Sequence, residues 1–254
     1  MKIKGAVITG LVFIALGSGV AVYGAYREDF DMDKLYEEVN LEAKSYDASR
    51  EINSISYNGY FEDLKIIKSE EVNNITLKYS ESDVRTYTVG EKDGSLIINQ
   101  KYKKKWIYKL NNIRGDYKFA FEILVPKELE SISVDLNAGL IETSNLNSNS
   151  LDYSVNAGQI ELTNVVSNTI KCEMNAGEIS IDNVTASTFE GSVDAGEIMY
   201  DGIINSSFYG EVKCGNIELT LYQNEEDFTC NGVGTGKISI TTKVNVGDSE
   251  ISFK

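Results

Sequence analysis

A five-residue phrase returns at a fixed interval through this chain: Asn137-Ala138-Gly139-Leu140-Ile141, Asn156-Ala157-Gly158-Gln159-Ile160, Asn175-Ala176-Gly177-Glu178-Ile179 and Asp194-Ala195-Gly196-Glu197-Ile198. A worn fifth copy follows at Lys213-Cys214-Gly215-Asn216-Ile217, and the five glycines stand 19 residues apart. Gly236-Lys237-Ile238 reads as a sixth copy displaced by a two-residue insertion. Self-similarity at such a period is the mark of a solenoid, in which every position of one copy lies over the same position of the last.

Reading by columns therefore separates inside from outside. Two residues after each glycine stand Ile141, Ile160, Ile179, Ile198, Ile217 and Ile238; two further on stand Thr143, Leu162, Ile181, Tyr200, Leu219 and Ile240. Apolar residues also recur seven before the glycine (Ile132, Leu151, Ile170, Phe189, Phe208), three before it (Leu136, Val155, Met174, Val193, Val212) and seven after it (Leu146, Val165, Val184, Ile203). The residues between are mostly polar, so the period is two and each copy holds two strands and a short third. A 19-residue unit is too short for a pair of helices and their turn. Asn-Ala-Gly makes one corner, and the column Asn145, Asn164, Asn183, Gly202 makes the next, since Asn and Gly accept left-handed backbone angles. The expected fold is all-β: a single-stranded parallel β-helix, or β-solenoid, with 19-residue coils about 4.8 Å apart.

Ahead of the repeats the chain divides into three stretches. Residues 1–26 begin with Lys2 and Lys4 and then run uncharged from Gly5 to Tyr26. As a helix this run spans about 33 Å, enough to cross a bilayer. Lysines before it and Glu28, Asp29, Asp31 and Asp33 after it predict a single-pass anchor in the cell membrane, with the amino end cytoplasmic and the rest outside. A cleaved signal peptide is the alternative, with Gly19-Val20-Ala21 as a cleavage site. Residues 27–50 form a juxtamembrane stem, either a linker or a short helix, with Leu35, Val39, Ala43 and Tyr46 near helical spacing. Residues 51–126 return to period two, with strand-like runs at Ile75 to Leu77, Val84 to Val89, Leu96 to Ile98, Trp106 to Leu110 and Tyr117 to Val125. Gly90, Asp93-Gly94, Asn111-Asn112 and Gly115-Asp116 mark turns, and an irregular β cap with early coils is expected before the regular repeats of 127–254.

A membrane helix, a β region with a Gly94-x-Leu96-x-Ile98 phrase, a Val125-Pro126 step and Gly-x-Ile coils together resemble the bacterial β-strand-repeat domains of unknown function labelled putative adhesins. The resemblance spans residues 50–254. It implies a β-solenoid exposed at a bacterial envelope, with relatives implicated in sensing envelope stress and antimicrobial peptides, and it brings no catalytic residues with it.

Composition narrows the chemistry. A formal charge of −15 opposes nucleic acid as a partner, because phosphate recognition needs a basic footprint. Histidine is absent, which removes the commonest catalytic base and transition-metal ligand. No cofactor is expected. Cys172 and Cys214 fall in different columns two coils apart, about 10 Å by strand spacing, so Cys172, Cys214 and Cys230 are expected as buried free thiols. Two surface candidates remain. Glu142 stacks over Glu161, and Glu178 over Glu197; the repulsion at coil spacing, about 0.9 kcal/mol in water, suits a solvated acidic face. Sharper readings of these carboxylates are a weak calcium site, or a glycosidase-like pair in a carbohydrate-active enzyme of the envelope. Lys101, Lys103, Lys104 and Lys105, interleaved with Tyr102, Trp106 and Tyr108, form a basic patch suited to anionic lipid or an anionic wall polymer, or simply a solvated hairpin. The favoured reading is a non-enzymatic binding, adhesin-like or stress-sensing module, partnered by the membrane and by an envelope protein or cell-wall polymer.

Overall fold

A computed structural model of the chain describes residues 41–83, 85–102 and 120–254. Among the described residues twelve strands follow one another: β1 (Glu42–Asp47), β2 (Ser54–Lys68), β3 (Thr76–Glu81), β4 (Arg85–Lys92), β5 (Ser95–Tyr102), β6 (Ala120–Val125), β7 (Leu129–Ser144), β8 (Asn147–Thr163), β9 (Val166–Leu221), β10 (Phe228–Cys230), β11 (Ile238–Val246) and β12 (Ser249–Phe253). They form one sheet in the order β1-β3-β6-β2-β7-β8-β9-β11-β10, with β12 also on β9. The domain is all-β and solenoid-like. Among the described residues no helix is long and apolar enough to cross a membrane; the expected span at 5–26 lies outside them.

From β2 through β7 and β8 to β9 the ladder is parallel, and its register follows the sequence columns. Ile132 pairs with Leu151 and Ile141 with Ile160 across β7 and β8; Leu151 then pairs with Ile170 and Ile160 with Ile179 across β8 and β9. Ile141, Ile160, Ile179, Ile198 and Ile217 have no exposed surface. Side chains alternate across a strand, so the same register leaves Glu142 and Glu161 on the outer face. Where the inner columns change size they compensate: Gly191 and Gly210 replace larger residues, and the rings of Phe189 and Phe208, stacked 5.0 Å apart, fill the room.

Corners explain the conserved spelling of the phrase within the chain. Gly158 has φ 147°, and a Cβ there would lie 1.9 Å from the carbonyl oxygen of Gly139. No L side chain fits, and each glycine of the column faces its predecessor in the same way. At the second corner Asn145, Asn164 and Asn183 adopt φ of 55°, 54° and 52°, the left-handed angles expected of that column.

Upstream, β2 lies in register on β7, with Ile55 beside Ile132 and Leu64 beside Ile141, so it carries the columns without the phrase. β5 and β6 run parallel to β2, while β4 folds back antiparallel on β5 through Asp93-Gly94, whose positive φ angles of 51° and 76° make a two-residue hairpin turn. β1 pairs antiparallel with β3. Residues 42–47 are thus strand rather than the end of a stem helix, because the free edge of β3 supplies the backbone partners that a short isolated helix would lack. The expected strand at Trp106 to Leu110 lies outside the described residues.

Three column assignments need correction. The final coil is not built on Gly236-Lys237-Ile238. Ile240 pairs with Phe208, Val244 with Val212 and Ile251 with Leu219, and Gly247 occupies the corner over Gly215. Residues 222–237 are an excursion, containing a single 3-10 turn (Glu225–Asp227) and β10. Ile203 is only half-buried; its neighbour Ile204 is the core residue, and the Gln223 side chain receives its N–H at 2.8 Å and donates to its carbonyl at 3.0 Å, in place of a strand. Of the cysteines, all free, Cys172 alone is buried; Cys214 is exposed because the alanine position of the corner points outward.

Candidate binding surfaces and a buried polar cluster

The outward columns carry what the sequence singled out. Glu142 lies beside Glu161 as its strand partner and 2.8 Å from the Lys65 ammonium, which holds the Lys65 pKa above its usual value. Glu161 in turn neighbours Ser180, and Glu178 neighbours Gln159, so the carboxylate stacks are interrupted. Gly177 and Gly196 stack in the corner, which sets Glu178 and Glu197 on successive coils. Among the described residues no group of three or more Cys, Asp or Glu side chains is gathered to hold a metal. Lys101 is exposed on β5 opposite Thr86; Lys103, Lys104 and Lys105 lie outside the described residues.

Amides run along the corners in three ladders. Asn175 donates to Asn156 and Asn156 to Asn137, each at 2.8 Å; Asn183 donates to Asn164 at 2.6 Å and Asn164 to Asn145 at 3.1 Å; Asn168 donates to Asn149 at 2.6 Å. Beside the third ladder lies a groove of about 530 Å³, lined by Asn147, Asn149, Ser167, Asn168 and the exposed Val166.

A second feature was not legible in the sequence. Glu62 pairs with Gly139, so a carboxylic acid occupies the glycine column in the β2 coil, and it is 4% exposed. Its Oε2 accepts from the Tyr57 hydroxyl at 3.1 Å, from Gln100 Nε2 at 2.9 Å and from the Tyr87 hydroxyl, while Arg85 Nη1 stands 3.5 Å from Oε1. Gln100 also bridges the bend of β2, accepting from the Tyr60 N–H at 2.6 Å and donating to the Phe61 carbonyl at 3.1 Å. Gly59 makes room for this: a Cβ there would lie 2.7 Å from the Tyr57 ring and 3.3 Å from Gln100 Oε1. Burial pushes the Glu62 carboxyl up to about 7, against the pull of Arg85 and the two tyrosine hydroxyls. Burial likewise raises the Tyr57 and Tyr87 hydroxyls, and Tyr102 to about 12. The carboxyl is enclosed by protein donors, so it ties β4 and β5 to the first coil rather than facing a substrate.

Strand order, columns and corners are those of one recognisable repeat domain. The family model described as Toastrack DUF4097 matches residues 52–253. The chain belongs to the Toastrack DUF4097 family. Among solved structures, this Toastrack chain is similar to a putative adhesin from Bacteroides fragilis, at 18% identity and TM-score 0.53, over 85% of this chain and 97% of the other. A putative cell adhesion protein from Clostridium sporogenes matches at 14% identity and TM-score 0.43, over 85% and 100% of the two chains. A putative lipid binding protein from Parabacteroides distasonis matches at 15% and 0.37, over 85% and 97%. Of these three scores the first alone indicates a shared fold. No curated protein sequence matches the chain.

Proposed function

We propose that this Toastrack chain is a non-enzymatic binding module of the bacterial envelope. A single helix over residues 5–26 anchors it with the amino end in the cytoplasm. A stem over 27–50 ends in β1, an irregular β cap occupies 51–126, and a single-stranded parallel β-helix of 19-residue coils occupies 127–254. The register of β7, β8 and β9 supports the coil length, and the charge asymmetry around the apolar run supports the orientation.

One observation carries the functional reading: the coils close their interior with apolar columns and, on the outside, stack amides at Asn137, Asn156 and Asn175 and carboxylates at Glu142 and Glu161. What the domain offers a partner is a long polar surface of constant spacing, suited to an extended partner such as a cell-wall polymer or an envelope protein, in adhesion or in stress sensing. The name of the similar Bacteroides fragilis protein agrees with this. Lys101 and the Lys103 to Lys105 run add a basic patch for anionic lipid or polymer. The test has two parts. Protease added to intact protoplasts should remove the repeats and leave a protected stub, whereas complete protection would reverse the topology. A photo-crosslinking residue at Glu161 or Glu178 should capture an envelope partner in cells. Release of sugar from wall glycan, lost in Glu161→Gln or Glu178→Gln, would overturn the non-enzymatic reading.

A further inference from the structure

One outward column is chemically uniform. Ser54 on β2 pairs with Ser131 on β7, Ser131 with Ser150 on β8, and Ser150 with Thr169 on β9; Thr188 and Ser207 follow at the coil interval, their hydroxyls 3.5 Å apart. Ser95 on β5 and Ser239 on β11 extend the column at its two ends. From β5 to β11 every rung thus carries a hydroxyl, over about 34 Å at ordinary strand spacing. Each stands one residue before a buried side chain, Ile132, Leu151, Ile170, Phe189 and Phe208 among them, so alternation turns it outward, and each is half-buried or exposed. The outside of a coil does not require this: two residues on, the next outward column reads Ser133, Asp152, Lys171, Glu190 and Tyr209. Nor does the backbone use the hydroxyls. Among the described residues their hydrogen bonds are to one another, Ser131 donating to Ser54 at 3.0 Å and Ser207 to Thr188, whereas Ser148 and Ser167 at the neighbouring bend donate to the Leu129 and Thr169 carbonyls at 3.2 and 3.0 Å. Asn149 and Asn168 directly precede Ser150 and Thr169, so the groove of the third amide ladder borders the column.

We propose that this hydroxyl column and the groove beside it hold a neutral β-linked glycan strand, lying along the stack of coils with about one sugar per coil. The inference rests on the reading of the chain as an envelope binding module, and it names the face and the polymer. Charge removes the anionic competitors: the column holds no cation, Glu128 and Glu130 line the groove, and a net charge of −15 repels anions. A protein partner would need aromatic or arginine anchors to seat, and Val166 is the one exposed apolar residue of the groove. A sugar hydroxyl, like that of serine or threonine, both donates and accepts, so the two arrays pair without charge. The Asn149 and Asn168 amides, bonded to each other once, keep further donors and acceptors for the same strand. An extended β-1,4-linked glycan advances by nearly one strand spacing per sugar, so a contact made on one coil recurs on the next. Each contact adds little against competing water, and binding accumulates with the number of coils engaged.

Co-sedimentation of the full-length chain, in detergent, with an insoluble β-1,4-linked N-acetylglucosamine polymer tests this, with soluble oligomers of the same sugar as competitors. Retention should persist at about 1 M salt, where screening acts within about 3 Å and attraction through Lys101 and its neighbours is lost. A six-sugar oligomer should displace the chain at a concentration about tenfold or more below that of the two-sugar oligomer, because it spans more coils. Ser150→Ala, Thr169→Val and Thr188→Val together remove three hydroxyls and keep β-compatible side chains; they should weaken retention about tenfold or more and leave thermal unfolding unchanged. Glu161→Gln, beyond the Asn-Ala-Gly corner, should leave retention as it is. Retention lost in salt, equal competition by the two oligomers, or undiminished retention of the triple variant would each overturn the proposal and leave the binding module standing. No retention on the polymer would overturn it as well, and if Glu161 and Glu178 also crosslink no envelope partner, the wider reading falls with it.

Discussion

Replacing Glu62 by glutamine should remove most of the pH dependence of this domain's stability between pH 4.5 and 8. The carboxyl titrates near 7 in the folded protein against 4.5 for an unburied glutamate, so the folded state holds its proton over a range where the unfolded state has lost it. Where the native state binds the extra proton, stability falls as pH rises, and the loss is complete once pH passes the folded value. A separation of about 2.5 units corresponds to about 3 kcal/mol at roughly 1.4 kcal/mol per unit. The wild-type domain should therefore be most stable near pH 4.5, lose about 3 kcal/mol by pH 8 through this one group, and level off above that. Urea unfolding followed by circular dichroism at a series of pH values measures the slope. Glu62→Gln preserves an acceptor for Tyr57, Tyr87 and Gln100, and it cannot titrate. Parallel stability profiles for the two proteins would refute the reasoning, because the buried carboxyl would then have the same proton affinity in both states.

Three further outcomes follow from the columns. Ile179→Asp places an unpaired carboxylate at a fully buried position and should cost several kcal/mol, about 3 or more, whereas Ser180→Asp on the outer face should cost within about 0.5 kcal/mol; equal shifts in thermal unfolding would refute the assignment. Gly177→Ala should cost about 2 kcal/mol or more by chemical denaturation, since its Cβ would meet the Gly158 carbonyl oxygen at 1.9 Å at a φ of 139°. In the folded protein a maleimide should label Cys214 within minutes and leave Cys172 untouched until urea is added, because burial both shields the Cys172 thiol and pushes its pKa up. Mass spectrometry of the labelled peptides reads this directly.

The amino-acid sequence alone determined the columns and the corners. Ile141, Ile160 and Ile179 declare their burial by recurring at one offset, and Asn145, Asn164 and Asn183 declare a left-handed turn in the same way. Repetition makes this legible, because each coil packs on the one before it and a requirement met once must be met again. What occurs once in the chain had to wait for the tertiary structure. Gly236-Lys237-Ile238 matches the phrase only at Gly236 and Ile238, yet pairing energy accumulates over a whole coil, and the run from Ile240 to Phe253 satisfies more columns at once. Ile204 displaces Ile203 because Gln223, 19 residues on, offers an amide that completes its backbone bonds. The Glu62 cluster draws on Arg85, Tyr87 and Gln100, separated from it by 23, 25 and 38 residues, and no periodicity links them. A polar group can be buried only where its partners converge, and convergence of distant residues is a property of the folded chain, not of any local pattern.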